Sequence, residues 1–209
     1  MQEICERCGA WRPDKIIAPD GRSMACPACG FVSPLRRGPL FVVTGASGAG
    51  KSTALRLLYQ EERDYLVMES DILWEDRWQD PEGRYTAYFN LWLRVCKNIG
   101  QGGRPVVLGG CMAPHQLEPC VERRYFSAVH YLALVAAPEE LRRRLQSRPA
   151  WRRCGDEGTI AAAVQYNAWL RENAGRTDPP MALLDTQGLS PAQAAASIDR
   201  FVRARLTEG

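Results

Sequence analysis

The chain has 209 residues, 45% of them hydrophobic, which suffices for the packed core of one medium domain with a small appendage. The net charge of +3 is weak and excludes neither nucleic acid nor small anions as partners. No apolar run approaches roughly 18 residues, and the start "MQEICERCGAWRPDK" has no basic-then-apolar leader. These features exclude a helical membrane span and lead us to expect a soluble cytoplasmic protein.

Residues 1–34 carry two C-x-x-C pairs, Cys5/Cys8 and Cys26/Cys29, with 17 residues between them. In a reducing compartment such pairs are more often metal ligands than disulfides. Gly9 and Gly30 follow the pairs and suit the tight turn that aims two sulfurs at one ion. Four thiolates match tetrahedral Zn²⁺ and leave no open position, so the expected role is structural. So short a segment cannot bury enough apolar area alone, and metal binding then supplies its folding energy. A redox dithiol is the alternative.

The segment resembles a zinc ribbon, a module that elsewhere contacts nucleic acid or protein. Over residues 1–38, however, six Lys and Arg face only four acids. Tight phosphate binding typically recruits about 6–10 contacts, so the charge makes no case for nucleic acid. The other cysteines, Cys96, Cys111, Cys120 and Cys154, are scattered and read as buried or half-buried small hydrophobes. The stretch "SPLRRGP" is rich in Pro and Gly, and residues 35–39 within it read as a linker.

From Leu40 onward, apolar runs alternate with helical spacing over residues 40–209. The runs at 40–44, 65–69, 105–110, 129–136 and 181–185 are nearly continuous, as parallel strands buried on both faces require. Helical patterns fall at 51–62, 84–99, 138–148, 159–174 and 191–206. Ser190-Pro191 makes a good helix opening, with Ser as cap and Pro in the first turn. The fold class is α/β: a doubly wound, parallel, five-stranded sheet binding its ligand at the strands' carboxyl ends.

The stretch "GASGAGKS", Gly45 to Ser52, matches G-x-x-x-x-G-K-[ST] in full, after one strand and at the start of a helix. Gly45, Ala46, Ser47, Gly48, Ala49 and Gly50 turn backbone N–H groups inward around phosphate oxygens, and the helix N-terminus adds its positive end. Lys51 reaches the outer phosphates as a point charge, and the Ser52 hydroxyl is placed to ligate Mg²⁺. The motif implies ATP or GTP and is silent on the acceptor.

Beyond the second strand, "ESD" puts Glu69 and Asp71 on the ligand-facing edge. A kinase needs a carboxylate that orients the acceptor hydroxyl and takes its proton, and Asp71 is the candidate. Glu69 is left for Mg²⁺-bound water or substrate positioning; the plainer role for Asp71 is to cap the following helix. No Asp ends the third strand, which weakens a reading as a mechanical ATPase. Gly109-Gly110 lets backbone approach a ligand there, and His115 follows in the loop. Arg142, Arg143 and Arg144 lie on a helix, at least one of them simply solvated. Arg148, Arg152 and Arg153 flank the helix breaker Pro149 and are placed either to clamp a transferring phosphoryl group or to form a solvated loop.

With "TGASGAGKST", the acidic "ESD", the Arg-bearing "RPAWR" after "PEELRRRL", and a final "LLDT" strand, about four-fifths of the chain resembles the small P-loop kinases, in particular the gluconate-kinase-like and shikimate-kinase-like branch. The resemblance implies that Gly48, Gly50, Lys51, Ser52 and Thr53 hold the triphosphate and Mg²⁺ and that Asp71 approaches the acceptor. It also implies that Arg148 and Arg152 belong to a lid closing over ATP.

The stretch 70–95 departs from a sugar-acid pocket. Trp74, Trp78, Tyr85, Tyr88, Phe89 and Trp92 crowd it, and one or two lining the pocket would favour a flat acceptor such as a nucleoside base. The expected function is an ATP-dependent phosphotransferase for a small molecule, nucleoside or nucleotide before sugar-like metabolite. The rivals are a polynucleotide 5′-hydroxyl kinase and an ATP-gated module that docks a partner through its ribbon.

Overall fold

A computed structural model describes residues 2–149 and 154–207. The N-terminal part builds a three-stranded antiparallel sheet of β1 (Ile16–Ile17), β2 (Ser23–Ala25) and β3 (Val32–Pro34). The turn between β1 and β2 closes where Gly21 N–H meets the Ala18 carbonyl and the Asp20 carboxylate accepts from Arg22 N–H.

The main sheet contains β4 (Leu40–Gly45), β5 (Leu66–Glu69), β6 (Val106–Gly109), β7 (Val129–Val135) and β8 (Met181–Asp185). All neighbours pair in parallel, in the order β5-β6-β4-β7-β8. The helices are α1 (Lys51–Tyr59), α2 (Thr86–Gln101), the one-turn α3 (Pro114–Leu117), α4 (Pro138–Gln146), α5 (Glu157–Asn173) and α6 (Pro191–Leu206). Strand order reverses about β4, so the loops leaving β4 and its neighbours part and open a crevice at their carboxyl ends.

Alternation along β4 serves two cores. Leu40 and Val42 pack with Trp92, Leu93 and Cys96 of α2 on one face, and Phe41 and Val43 pack with Leu55 of α1 and Ile198 of α6 on the other. All six β4 residues are buried, which explains the unbroken apolar run. At α6 the Ser190 hydroxyl accepts from Gln193 N–H, the Gln193 side chain answers Ser190 N–H, and Pro191 opens the first turn. Helix α5 starts two residues earlier than the apolar pattern indicates, because the Asp156 carboxylate caps it through Thr159 N–H. The one-turn α3 falls in a stretch that reads as loop, too short for a periodic signal. No described helix is long and apolar enough to cross a membrane.

Segment 35–39 is tied down on both sides. Leu35 is buried with Met24 and Tyr125, the Gln101 side chain donates to the Arg36 carbonyl at 2.6 Å, and the Arg37 guanidinium donates to the Phe126 carbonyl at 2.5 Å. The antiparallel sheet therefore sits against α2 and the helical turn Val121–Tyr125. At that contact Lys97 Nζ is 2.6 Å from both Glu3 and Glu122, with Lys97 and Glu122 fully buried. Tyr125 donates to the Pro13 carbonyl at 2.6 Å.

Candidate functional site

The four N-terminal cysteine sulfurs lie within 4.8 Å of one another. Cys5 and Cys29 sulfurs are 3.6 Å apart, and those of Cys8 and Cys26 are 3.9 Å apart. A zinc tetrahedron with Zn–S bonds of about 2.3 Å has edges of roughly 3.8 Å, so the spacing fits. Each knuckle closes alike: Gly9 N–H to the Cys5 carbonyl and Gly30 N–H to the Cys26 carbonyl, both at 2.8 Å. Both glycines hold φ near +70°, as these turns require. The cluster fits a small zinc site.

The glycine-rich loop joins β4 to α1 at the crevice. Gly45 has φ +147°, and a Cβ there would come within 2.4 Å of the Leu134 carbonyl oxygen of β7, so glycine is obligatory. Gly50 caps α1 in the left-handed region at φ +98°. Lys51 folds back over the loop, donating to the Gly45 carbonyl at 2.6 Å and the Ala46 carbonyl at 3.1 Å. Two distant groups hold the loop from outside. Arg144 of α4 donates to the Gly48 carbonyl at 3.1 Å, and the Thr186 hydroxyl, just past β8, shares its proton between the Ala49 and Val135 carbonyls, 3.1 Å from each. Sequence reasoning named Arg144 only as one of three helix arginines and gave Thr186 no role beyond ending "LLDT".

One cleft collects Ser47, Gly48, Gly50, Lys51, Ser52, Thr53, Glu69, Asp71 and Arg148. Ser52 and Thr53 are exposed on the first turn of α1. Asp71 is exposed within the short helical turn Ser70–Leu73 that follows β5. Glu69, not Asp71, stands at the cap position of that turn, so the capping role read from sequence falls away for Asp71. Arg148 reaches Cys154 Sγ at 3.7 Å; Arg152 and Arg153 lie outside the described residues. Arg142 pairs with Glu157 and Arg143 with Glu140 on the surface. Gly109 and Gly110 line the cleft, but their size is set by packing: a Cβ would meet Leu55 at the first and Ser70 at the second, both at 2.1 Å.

A cavity of about 480 Å³ adjoins the cleft, lined by Asp71, Trp74, Tyr85, Tyr88, Phe89 and Cys111. The aromatic run thus divides. Trp74 is 40% exposed and faces the cavity, whereas Trp78 donates its indole N–H to the Leu73 carbonyl and Trp92 is fully buried in the core. Tyr88 and Trp92 both donate to the Ser70 carbonyl, which anchors the turn bearing Asp71 to α2. Tyr85 holds a left-handed backbone at φ +51°, an outlier for a bulky residue, with its N–H bound by the Asp80 carboxylate at 2.7 Å. A second cavity of about 470 Å³ shares Tyr85 and Cys111 and is completed by Ala113, His115, Gln116, Tyr166 and Trp169.

Cys111 corrects the reading of the scattered cysteines. Burial pushes the Cys96 thiol up to about 12 and the Cys120 thiol up to about 11, as for inert small hydrophobes. Cys111 is instead exposed at the junction of cleft and cavities, donating to the Gly45 carbonyl at 3.1 Å with Lys51 Nζ 3.6 Å away.

Solved structures resemble much of the chain, three of them as follows. A sugar kinase from a Janibacter species aligns with TM-score 0.57 and 16% identity over 80% of this chain and 95% of that one. A Deinococcus radiodurans tunicamycin resistance protein gives 0.56 and 19% over 80% and 96%. A gluconokinase from Sinorhizobium meliloti gives 0.53 and 16% over 83% and 99%. This is the kinase-like P-loop fold. No protein-family model and no curated protein sequence matches the chain.

Proposed function

We propose that this protein is an ATP-dependent kinase that passes the γ-phosphoryl group to a hydroxyl of a small, uncharged, ring-bearing acceptor, a nucleoside before a sugar-like metabolite. One observation carries the reading: Asp71 borders both the phosphate-loop cleft and the aromatic cavity. An acceptor in the cavity then presents its hydroxyl between Asp71 and the outer phosphate. The neighbours described as sugar kinase and gluconokinase support transfer to a hydroxyl. The cavity linings contain no Lys or Arg among the described residues, which disfavours a sugar acid, a nucleotide or a polynucleotide strand as acceptor.

In this mechanism the loop N–H groups and the α1 N-terminus hold the phosphates. Lys51 leaves its loop carbonyls for the outer phosphate oxygens. Asp71 orients the acceptor hydroxyl and takes its proton as the new O–P bond forms and the bond from γ-phosphorus to the bridging oxygen breaks, leaving ADP. Arg148 and Arg152 add positive charge over the transferring group. Ser52 and the Glu69 carboxylate are hard oxygen donors suited to Mg²⁺, directly or through water. Bound there, the ion supplies charge neutralisation of the phosphates. Cys5, Cys8, Cys26 and Cys29 would hold zinc in a structural role.

The test is ADP release against nucleosides, nucleoside monophosphates, polyols, sugar acids and 5′-hydroxyl oligonucleotides, with Lys51→Ala as blank. Stimulation by nucleosides, absent in the blank, is the expected result. Nucleotide binding without stimulation by any acceptor would sink the kinase reading in favour of a nucleotide-gated, partner-binding module.

A further inference from the structure

We infer that the acceptor site is bipartite: the second cavity, walled by His115, Gln116, Tyr166 and Trp169, takes a second planar, uncharged ring of the same acceptor molecule. The inference rests on the reading of the first cavity as the acceptor pocket. The two cavities, of about 480 and 470 Å³, meet along Tyr85 and Cys111, and each alone has the volume of a complete small-ligand pocket. A single sugar or nucleoside leaves the second one unused.

The second cavity is built for a ring. Tyr166 and Trp169 lie parallel, 11° between planes and 5.9 Å between centroids, with His115 edge-on to Trp169 at 6.3 Å. Tyr166 is fixed from behind by its hydroxyl, 3.5 Å from the Thr44 hydroxyl and 3.4 Å from the Met112 carbonyl it donates to. Gln116 is fixed as well, accepting from Ala113 N–H and donating to the Gly83 carbonyl. The ridge between the cavities is Tyr85, the residue whose backbone is strained, and such strain collects where surrounding structure and ligand contact demand it. With no Lys, Arg, Asp or Glu among the described residues that line it, the second cavity offers aromatic faces and no counter-charge, which suits an uncharged ring stacked on them. The chemical class is a nucleoside, or a similar neutral glycoside, that carries an additional aromatic substituent.

Calorimetric titration without ATP tests this, pairing uridine with 5-benzyluridine and adenosine with N6-benzyladenosine. The two-ring member is expected to bind at least tenfold more tightly in at least one pair. Trp169→Ala should collapse that ratio toward one, and His115→Ala, at an exposed side chain that keeps the fold, should lower it several-fold. Trp74→Ala should weaken both members of the pair while keeping their ratio. Equal affinities in both pairs, a ratio that survives both Trp169→Ala and His115→Ala, or no binding by any of the four would overturn the bipartite site. Because no phosphate moves in these titrations, an intact ratio without acceptor-stimulated ADP release would sink the kinase reading alone.

Discussion

The Tyr88 hydroxyl donates to the Ser70 carbonyl oxygen at 2.5 Å, binding the first half of α2 to the turn that presents Asp71. Burial raises the Tyr88 pKa, so the hydroxyl keeps its proton and remains a donor. Tyr88→Phe preserves the ring and removes this one bond, leaving the Trp92 indole at 3.1 Å as the other donor. The expected result is a loss of about 1 kcal/mol in stability and a several-fold lower kcat, with nucleotide affinity unchanged. Thermal melts and steady-state kinetics check it; if Tyr88 merely packs, neither quantity moves.

Asp71→Asn removes the proton acceptor but keeps the shape. Phosphate transfer should fall roughly 10²- to 10⁴-fold while nucleotide binding persists. Single-turnover assays beside nucleotide titrations read the two separately. Full activity would pass the role to another group, Glu69 being the nearest in sequence.

Arg144 and Thr186 steady the phosphate loop from α4 and from the end of β8. Arg144→Ala and Thr186→Val should each weaken nucleotide binding several-fold and leave acceptor affinity alone. Thr186 is buried, and its one hydroxyl proton is divided between the Ala49 and Val135 carbonyls at 3.1 Å each, so its loss adds about 1 kcal/mol of destabilisation. Arg142→Ala, which among the described residues breaks an exposed pair with Glu157, is the control and should shift stability by less than about 1 kcal/mol.

Purified protein should carry one zinc per chain, and strong chelation should release it. Hydrogen exchange would then rise over residues 2–35, where four thiolates hold together a segment with a small core, and stay slow in β4. Slow exchange throughout after complete zinc release would make the metal dispensable for the ribbon's fold.

Contact between ribbon and main sheet should weaken in acid. Burial works to raise the Glu3 pKa, but the Lys97 hydrogen bond and the Lys97 and Arg94 charges prevail and hold it below its ordinary 4.5. A carboxylate depressed on folding contributes stability above its unfolded pKa and loses it as pH falls through the folded value. Stability should therefore drop below about pH 4.5, and Glu3→Gln should flatten that part of the profile. Lys97→Met should cost about 1–3 kcal/mol, because Glu122 and Glu3 lose the ammonium between them and Glu122 keeps only the Arg94 guanidinium at 2.9 Å.

Much of this architecture was legible in the chain because its signals act over short distances. The apolar runs of β4 and β7, the Ser190 cap with Pro191, the glycine-rich loop and the C-x-x-C pairs each act within about ten residues. The aromatic run from Trp74 to Trp92 was legible only as composition. Which rings face the cavity depends on how the segment 70–78 folds against α2: Trp74 lines the cavity, whereas Trp78 turns its indole N–H back to the Leu73 carbonyl.

Cys111 beside Lys51, Arg144 on Gly48 and Lys97 on Glu122 join residues 60, 96 and 25 positions apart. The sequence by itself determined the parallel α/β sheet, the phosphate loop and the four-cysteine cluster, since local periodicity and spacing express them directly. Tertiary structure alone decided which walls meet at Asp71 and where the ribbon docks. Those contacts follow from the strand order β5-β6-β4-β7-β8, which the packing of both sheet faces selects and no local pattern encodes.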